Sequence, residues 1–352
     1  MDTSQPLVDF SVIIPVYRSV AELERCLKSL RKNDLIRKSE LIVVDDASPG
    51  VGKALEEIAR RHGAAYHRLP LNAGPGVARN RGVELAQGDI LVFIDADCVA
   101  PPDWLERITR PVRAGEAAVT TACYSAPVTA NWLTVFQNED YLYRMPAKEC
   151  STYFLNSCNM AITRNALLGS AGFPRQRVSE DMVLGIRLAR RGTPARYLPD
   201  AGVRHDYHRD FRPYLRQRYA FAYHAMQSHL RTRSPETVEP SSRVRSFNPL
   251  RVAAGMLFSS LMLAAFLGAA ALAGLLSPSL AALLTWIGLG FLLLEGGIHG
   301  GFLWYLTRRQ GLIRALSYAG LLYLLDLVYL FATLMALKDS WRGDGRGQMV
   351  NA

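Results

Sequence analysis

The chain has 352 residues, a formal net charge of +10 and five cysteines. That length allows a large core and two unlike parts. Cys26, Cys98, Cys123, Cys150 and Cys158 form no CxxC pair and leave one over, which argues against a disulfide framework or a cysteine zinc site and fits a reducing compartment. No finger, recognition-helix or RNA-stacking pattern accompanies the positive charge, so nucleic acid is not an expected partner.

The start, MDTSQPLVDF, lacks a basic segment followed by an apolar run; no signal peptide is expected, and the first half is expected in the cytosol. FSVIIPVY reads as a buried strand, and AELERCLKSLRK as a helix with Leu23, Cys26, Leu27 and Leu30 on one face. ELIVVDDAS is a second strand, VGKALEEIARRHG a helix closing on Gly63, and AAYHRLP a short third strand. GPGVARNRGVELAQG opens as a loop and continues as a helix into ILVFID, a buried strand ending in Asp95, with Asp97 two residues on and so on the same face. AAVTTACYSAP follows as a strand and EDMVLGIRLARRG as a helix ending at Gly192. This alternation predicts an α/β fold, a parallel sheet covered on both faces, with ligands beyond the carboxyl ends of its strands.

Three apolar segments come next. Residues 252–276 carry no charge and are long enough to span a membrane; residues 280–306 also span but contain Glu295 and His299; residues 315–337 are interrupted by Asp326. The basic loop TRRQGLIR and the basic residues after 337 leave three spans, or two spans and an interfacial third segment, equally compatible with charge placement. Ten arginines between Arg204 and Arg251, against four acids, form a basic belt before these segments, as on a cytoplasmic leaflet. The expected organisation is therefore a cytosolic domain over 1–230, a basic Pro/Ser-rich linker over 231–250, a membrane region of two or three helices over 251–338, and a polar tail over 339–352. Glu295 and His299 either mark a functional path, pair with Asp326, or snorkel.

Carboxylates gather at the strand ends: Asp45 and Asp46, then Asp95 and Asp97, with Pro15, Val16 and Tyr17 ending the first strand. Such a group repels itself unless it meets a divalent cation or hydrogen-bond donors; oxygen-rich sites suit Mg²⁺ or Mn²⁺ bound together with substrate phosphates. Helix capping accounts for one such acid but poorly for two strand-end pairs. NAGPGVARNRG, residues 72–82, offers a GxG that is not a dinucleotide fingerprint, and a flexible loop able to bring Arg79 to a phosphate. Glu180 and Asp181 open a helix, where acids are routine stabilisers and adjacent acids can also supply a general base. His205 follows a probable strand.

In their order and spacing, SVIIPVYRS, LIVVDDASPG, NAGPGVARNRG, GDILVFIDADC, GF and SEDMVLGIRLARRG resemble the family 2 glycosyltransferases over about residues 10–225. The resemblance implies a GT-A fold, a nucleotide-sugar donor, a divalent cation and inversion at the sugar carbon. It assigns Pro15, Val16, Tyr17, Asp45 and Asp46 to the nucleoside, Asn72, Gly74 and Arg79 to the donor loop, and Asn159 to a place beside the donor sugar. Asp95 is implied near ribose or phosphate, Asp97 and His205 on the metal, Asp181 as the base, and Glu180 as its orienting partner or an acceptor contact. The processive members' QxxRW motif is missing from YLRQRYAFAYH, so transfer of one sugar per encounter is expected. With the membrane segments, the expectation is an inverting, metal-dependent transferase at the cytoplasmic face of the inner membrane. It would take a UDP-sugar by preference and act on a lipid-linked or glycan acceptor among membrane lipids. A polyprenyl-phosphate sugar synthase and a membrane scaffold with a retired catalytic domain are the rival readings. The sequence is silent on oligomeric state.

Overall fold

The structure, a computed structural model, describes residues 9–175, 180–231, 249–273 and 278–342. Most of the expected linker and polar tail lies outside the described residues. The chain divides into two compact units, the second beginning at His208.

In the first unit nine strands form one sheet: β1 (Phe10–Val16), β2 (Ser39–Asp45), β3 (Ala65–Arg68), β4 (Ile90–Ile94), β5 (Cys98–Val99), β6 (Val119–Pro127), β7 (Cys150–Thr152), β8 (Asn159–Thr163) and β9 (Ala195–His205). The helices are α1 (Val20–Leu30), α2 (Gly52–Arg61), α3 (Pro75–Leu85), α4 (Trp104–Arg113), α5 (Trp132–Arg144), α6 (Arg164–Gly169) and α7 (Glu180–Arg190). Strand order is β3-β2-β1-β4-β8-β6-β9-β5, with β7 pairing β9.

The sheet is not the all-parallel one expected. β3, β2, β1 and β4 are parallel, but β8 runs antiparallel to both β4 and β6. Parallel pairing needs a crossover that returns the chain to the starting end of the sheet. The segment before β8 instead delivers Asn159 opposite Ile94, at the far end of β4.

Period-two alternation sorts the β1 side chains. Val12 and Ile14 enter a core with Leu23, Leu27, Val43, Val92 and Trp104, whereas Ile13 turns to the other face with Phe93, Met160 and Phe173. Burying each such side chain contributes roughly 1.5–3 kcal/mol, so both faces hold the sheet. A capping box fixes the start of α5, where Asn131 Oδ1 accepts from Thr134 N–H and Thr134 Oγ1 accepts from Asn131 N–H, each at 2.8 Å.

The second unit contains α8 (Phe211–Arg231), α9 (Pro249–Ala273), α10 (Pro278–Gln310) and α11 (Leu312–Trp341). Although α8 falls within the expected first domain, it packs on α11: Tyr223 donates to Asp339 Oδ2 at 2.7 Å and Gln227 to the Ala336 carbonyl at 2.8 Å. Three helices among the described residues are long and apolar enough to cross a membrane, over 253–271, 279–310 and 312–341. Trp286, Leu293 and Ile313 point outward at 72 %, 78 % and 86 % exposure, a pattern suited to lipid rather than water. Gly311, with φ of 87°, turns α10 directly into α11.

Candidate active site

Strand register assembles the rim. Val16 lies opposite Asp45, Asp45 opposite Arg68, and Ile94 opposite Asn159, so the carboxyl ends of β1, β2, β3 and β4 meet the start of β8. The two-residue β5 then pairs with the end of β9, setting Cys98 opposite His205. That register brings Asp97 to His205. Strand β4 stops at Ile94, and Asp95 and Asp97 flank a turn closed by the Cys98 amide donating to the Asp95 carbonyl at 3.0 Å. They therefore do not share a strand face, as the sequence reading expected, and each has its own partner.

The first acidic pair is fully engaged. Asp45, 0 % exposed, accepts from Tyr66 Oη at 2.7 Å, Arg68 Nη1 at 2.8 Å and the Ser48 amide at 2.8 Å. Burial and the Asp45 carboxylate together push the Tyr66 hydroxyl up to about 12, so it stays a donor. Asp46 accepts from the Ala73 amide at 2.7 Å, the Gly74 amide at 2.9 Å and Asn72 Nδ2 at 3.0 Å. It thereby folds the 72–74 loop against the end of β2. Gly74 has a φ of 94°, a backbone that favours glycine, and its carbonyl accepts from the Ala78 amide to begin α3.

Arg79 is the hub. It is 2 % exposed, with Nη1 2.8 Å from Glu180 Oε1 and Nη2 2.7 Å from Asp95 Oδ1. Its guanidinium lies over the Phe173 ring at 5.6 Å. Burial alone would weaken its hold on the proton, but the two carboxylates outweigh that and raise its pKa. Both ends are committed to acids, so Arg79 does not stand open to a phosphate as the loop reading expected. Helix α3 approaches the following segment closely: a Cβ on Gly76 would meet the Pro174 carbonyl at 2.9 Å and Glu180 Cγ at 3.3 Å. Asn80 completes the clasp, donating to the Phe173 carbonyl at 2.8 Å and accepting from the Phe173 amide at 3.0 Å.

Glu180 is buried at 6 %, whereas Asp181 beside it is partly exposed and accepts from the Met182 amide at 2.8 Å. Burial, then the Glu180 charge, push the Asp181 carboxyl up to about 6, with Arg79 pulling the other way. A carboxylate of that basicity is suited to take a proton near neutral pH.

Asp97 Oδ2 lies 3.4 Å from His205 Nε2. Burial raises the Asp95 pKa despite Arg79, while the His205 charge holds Asp97 low against the same burial. Two donors bound side by side on one octahedral ion at about 2.1 Å stand about 3 Å apart, so this pair fits a shared divalent cation. The second imidazole nitrogen, Nδ1, is buried without a partner among the described residues. One carboxylate with one imidazole suits Mn²⁺ better than Mg²⁺.

Four residues depart from their expected roles or surroundings. Asn159 is 0 % exposed, and its amide is consumed by the core: it accepts from Trp104 Nε1 at 2.8 Å and donates to the Cys123 carbonyl at 3.0 Å and the Ala201 carbonyl at 2.9 Å. That leaves nothing for a sugar, and corrects the expectation from the resemblance. Pro15 and Val16 are buried too, and the Val16 carbonyl accepts from the Asp46 amide at 2.9 Å. Tyr17 is half-buried beneath Arg18, whose guanidinium sits 5.0 Å from the ring centroid.

Sequence reasoning missed several neighbours. Arg18 and Ala47 hold φ of 62° and 57° in loops that follow β1 and β2, strain that no motif advertised. Tyr124 and Tyr207 pack on the His205 ring at 4.3 and 4.4 Å between centroids, and Tyr141 packs on Tyr124 at 4.7 Å. Asp206 pairs with Arg25 of α1.

Residues 11–169 match the family model described as glycosyl transferase family 2. Among curated proteins, the chain is 38 % identical over 113 residues to glycosyltransferase AglE of Haloferax volcanii, covering 30 % of this chain and 36 % of that protein. It is 30 % identical over 144 residues to the putative glycosyltransferase EpsH of Bacillus subtilis, covering 40 % of each. The chain thus spans well under half the length of these two relatives. Among solved structures, the mannosyltransferase PcManGT of Pyrobaculum calidifontis, in complex with GDP-Man and Mn²⁺, superposes with a TM-score of 0.55 at 22 % identity. That likeness covers 88 % of this chain and 86 % of that one, and is a likeness of fold.

Proposed function

We propose that the chain, whose residues 11–169 match glycosyl transferase family 2, transfers a sugar from a nucleotide-sugar donor to an acceptor hydroxyl with inversion. One observation carries the reading: the Arg79 guanidinium bridges Asp95 at the strand end to Glu180, the neighbour of Asp181. A strand-end carboxylate two residues before Asp97 and the proposed base thereby belong to one connected group. The mannosyltransferase of similar fold was crystallised with GDP-Man and Mn²⁺, which supports a nucleotide-sugar and a divalent ion as partners.

Asp181 accepts the proton of the acceptor hydroxyl as that oxygen forms its bond to the anomeric carbon, while the bond from that carbon to the diphosphate oxygen breaks on the opposite face. Glu180, paired with Arg79, holds the start of α7 in position and keeps the neighbouring carboxyl basic. Asp97 and His205 would hold a divalent cation, which when bound supplies charge to balance the departing nucleoside diphosphate. Asp46 keeps the 72–74 loop folded beside the donor.

The acceptor is proposed to be lipid-linked, and the catalytic domain cytoplasmic at an inner membrane, with α9, α10 and α11 crossing it. The arginine belt before those helices supports that orientation. A UDP-sugar is the preferred donor. A polyprenyl-phosphate acceptor is disfavoured, because its phosphate is already ionised and needs no base of the Asp181 kind.

The test is nucleoside diphosphate release by the detergent-solubilised chain across UDP-, GDP- and dTDP-sugars, with Mn²⁺, Mg²⁺ or EDTA. Release from one donor, abolished by EDTA and by Asp97→Asn, is expected. No release and no metal-dependent nucleotide binding would instead favour a scaffold.

A further inference from the structure

Midway along α10, Glu295 and His299 stand one turn apart on the same face, and Asp326 of α11 meets them. One donor atom from each of the three lies within 4.8 Å of the others. His299 Nε2 is 2.8 Å from Asp326 Oδ2. Glu295 is only 4 % exposed, and its Oε2 has no hydrogen-bond partner among the described residues. An orphaned carboxylate oxygen inside an apolar bundle is costly, and such groups are rare unless something answers them.

Helix α9 is shaped around the same point. A Cβ on Gly255 would come within 2.8 Å of Asp326 Oδ2 and 3.0 Å of its Cγ, so only glycine leaves this carboxylate its place. One turn on, Ser259 is 0 % exposed and faces the Glu295 carboxyl, its Oγ having no partner of ordinary hydrogen-bond geometry among the described residues. Gly255, Ser259, Glu295, His299 and Asp326 thus form a polar chamber enclosed by three apolar helices.

We propose that this chamber is a divalent-cation site, filled by a transition ion of the Zn²⁺ or Mn²⁺ class and separate from the sheet rim. Donor number and spacing favour that occupant: two carboxylates and one imidazole each offer an atom to one point. Donor chemistry narrows the choice, because imidazole suits Zn²⁺ and its neighbours whereas all-oxygen sites suit Mg²⁺ and Ca²⁺. Donors on such an ion at about 2.0–2.2 Å stand about 3–3.5 Å apart, within rotamer reach of the spacing here. The ion joins α10 to α11 through three side chains, and the inference stands apart from the sugar-transfer reading.

The experiment uses the tag-free full chain in detergent, carrying Asp97→Asn and His205→Ala so that the rim pair contributes no ion. It is dialysed against Zn²⁺, and in a parallel arm Mn²⁺, then assayed by elemental analysis and X-ray absorption. One bound ion per chain, with one imidazole and otherwise oxygen donors, is expected. Glu295→Gln and His299→Ala should each abolish that stoichiometry, and Gly255→Ala should weaken affinity by at least about tenfold by displacing a ligand. A substoichiometric ion content, an absorption spectrum without a nitrogen donor, or full retention of the ion in Glu295→Gln and His299→Ala overturns the proposal, the chamber then being answered by a proton. The absorption measurement on the unaltered bundle decides the matter even if the bundle variants fail to fold.

Discussion

At the rim of the sheet, Asp95 faces Arg79 at 2.7 Å and Asp97 faces His205 at 3.4 Å; among the apolar helices, His299 answers Asp326 but Glu295 keeps an oxygen without a partner among the described residues. The rim acids are partly open to water, with the Asp95 side chain 31 % and the Asp97 side chain 38 % exposed. Solvent and substrate can therefore share in balancing them. Within an apolar bundle no such sharing is on offer, so an imbalance there points to a resident partner. Charge complementarity built from side chains suits a site that must bind and release; an unpartnered donor atom among apolar helices suits the resident ion proposed above.

That contrast can be broken from the rim first. Asp181→Asn should lower transfer by at least about 10³-fold while donor affinity, measured by calorimetry, stays unchanged. A loss below tenfold would mean that the base is elsewhere. Next in size, Arg79→Met strips the counter-charge from Glu180 and Asp95. Breaking a buried pair from one side costs about 3–5 kcal/mol, and the exposure of Asp95 argues for the lower end. Thermal unfolding should show the drop, and adding Glu180→Gln should recover part of it.

Asn159→Ala leaves the Trp104 indole and two carbonyls without partners, at about 1–3 kcal/mol for a buried group so abandoned. The melting temperature should fall while the donor KM holds; a raised KM with unchanged stability would restore a binding role. Smaller still is the pH effect. With Asp181 as the proposed base, acting as the carboxylate, kcat/KM should rise with pH through a midpoint near 6 and level off above it. Glu180→Gln should move that midpoint downward, because the Glu180 charge helps to hold it up. Arg81→Ala serves as the quiet control: its pair with Glu84 is exposed, and stability should change by no more than about 0.5 kcal/mol.

The sequence was most legible where burial and period agree. FSVIIPV, ELIVVD and ILVFI are strands because their runs are apolar and bounded by turns, and the three long apolar helices announce themselves by length. Strand β9 was harder to see, since ARYLPDAGVRH contains Pro199 and Gly202; β5 is two residues long, and NMAIT is too short to show a period. Without β8, the reversal of sheet direction could not be read. At the rim, individual acids stood out but their partners did not: Arg79 meets Glu180 across 101 positions, a pairing no local spacing encodes. Asn159 shows the opposite hazard, a motif residue whose polar atoms turn inward to hold Trp104.

Register between β5 and β9 carries a consequence in time. Asp97 and His205 are about a hundred residues apart and become neighbours only when the end of β9 zips onto a two-residue strand. A growing chain that has already completed β1, β2 and β4 therefore has no place to seize an ion there. Capture of the ion proposed for this pair would then be a late act of synthesis, and a chain interrupted before His205 would leave the ribosome without the pair.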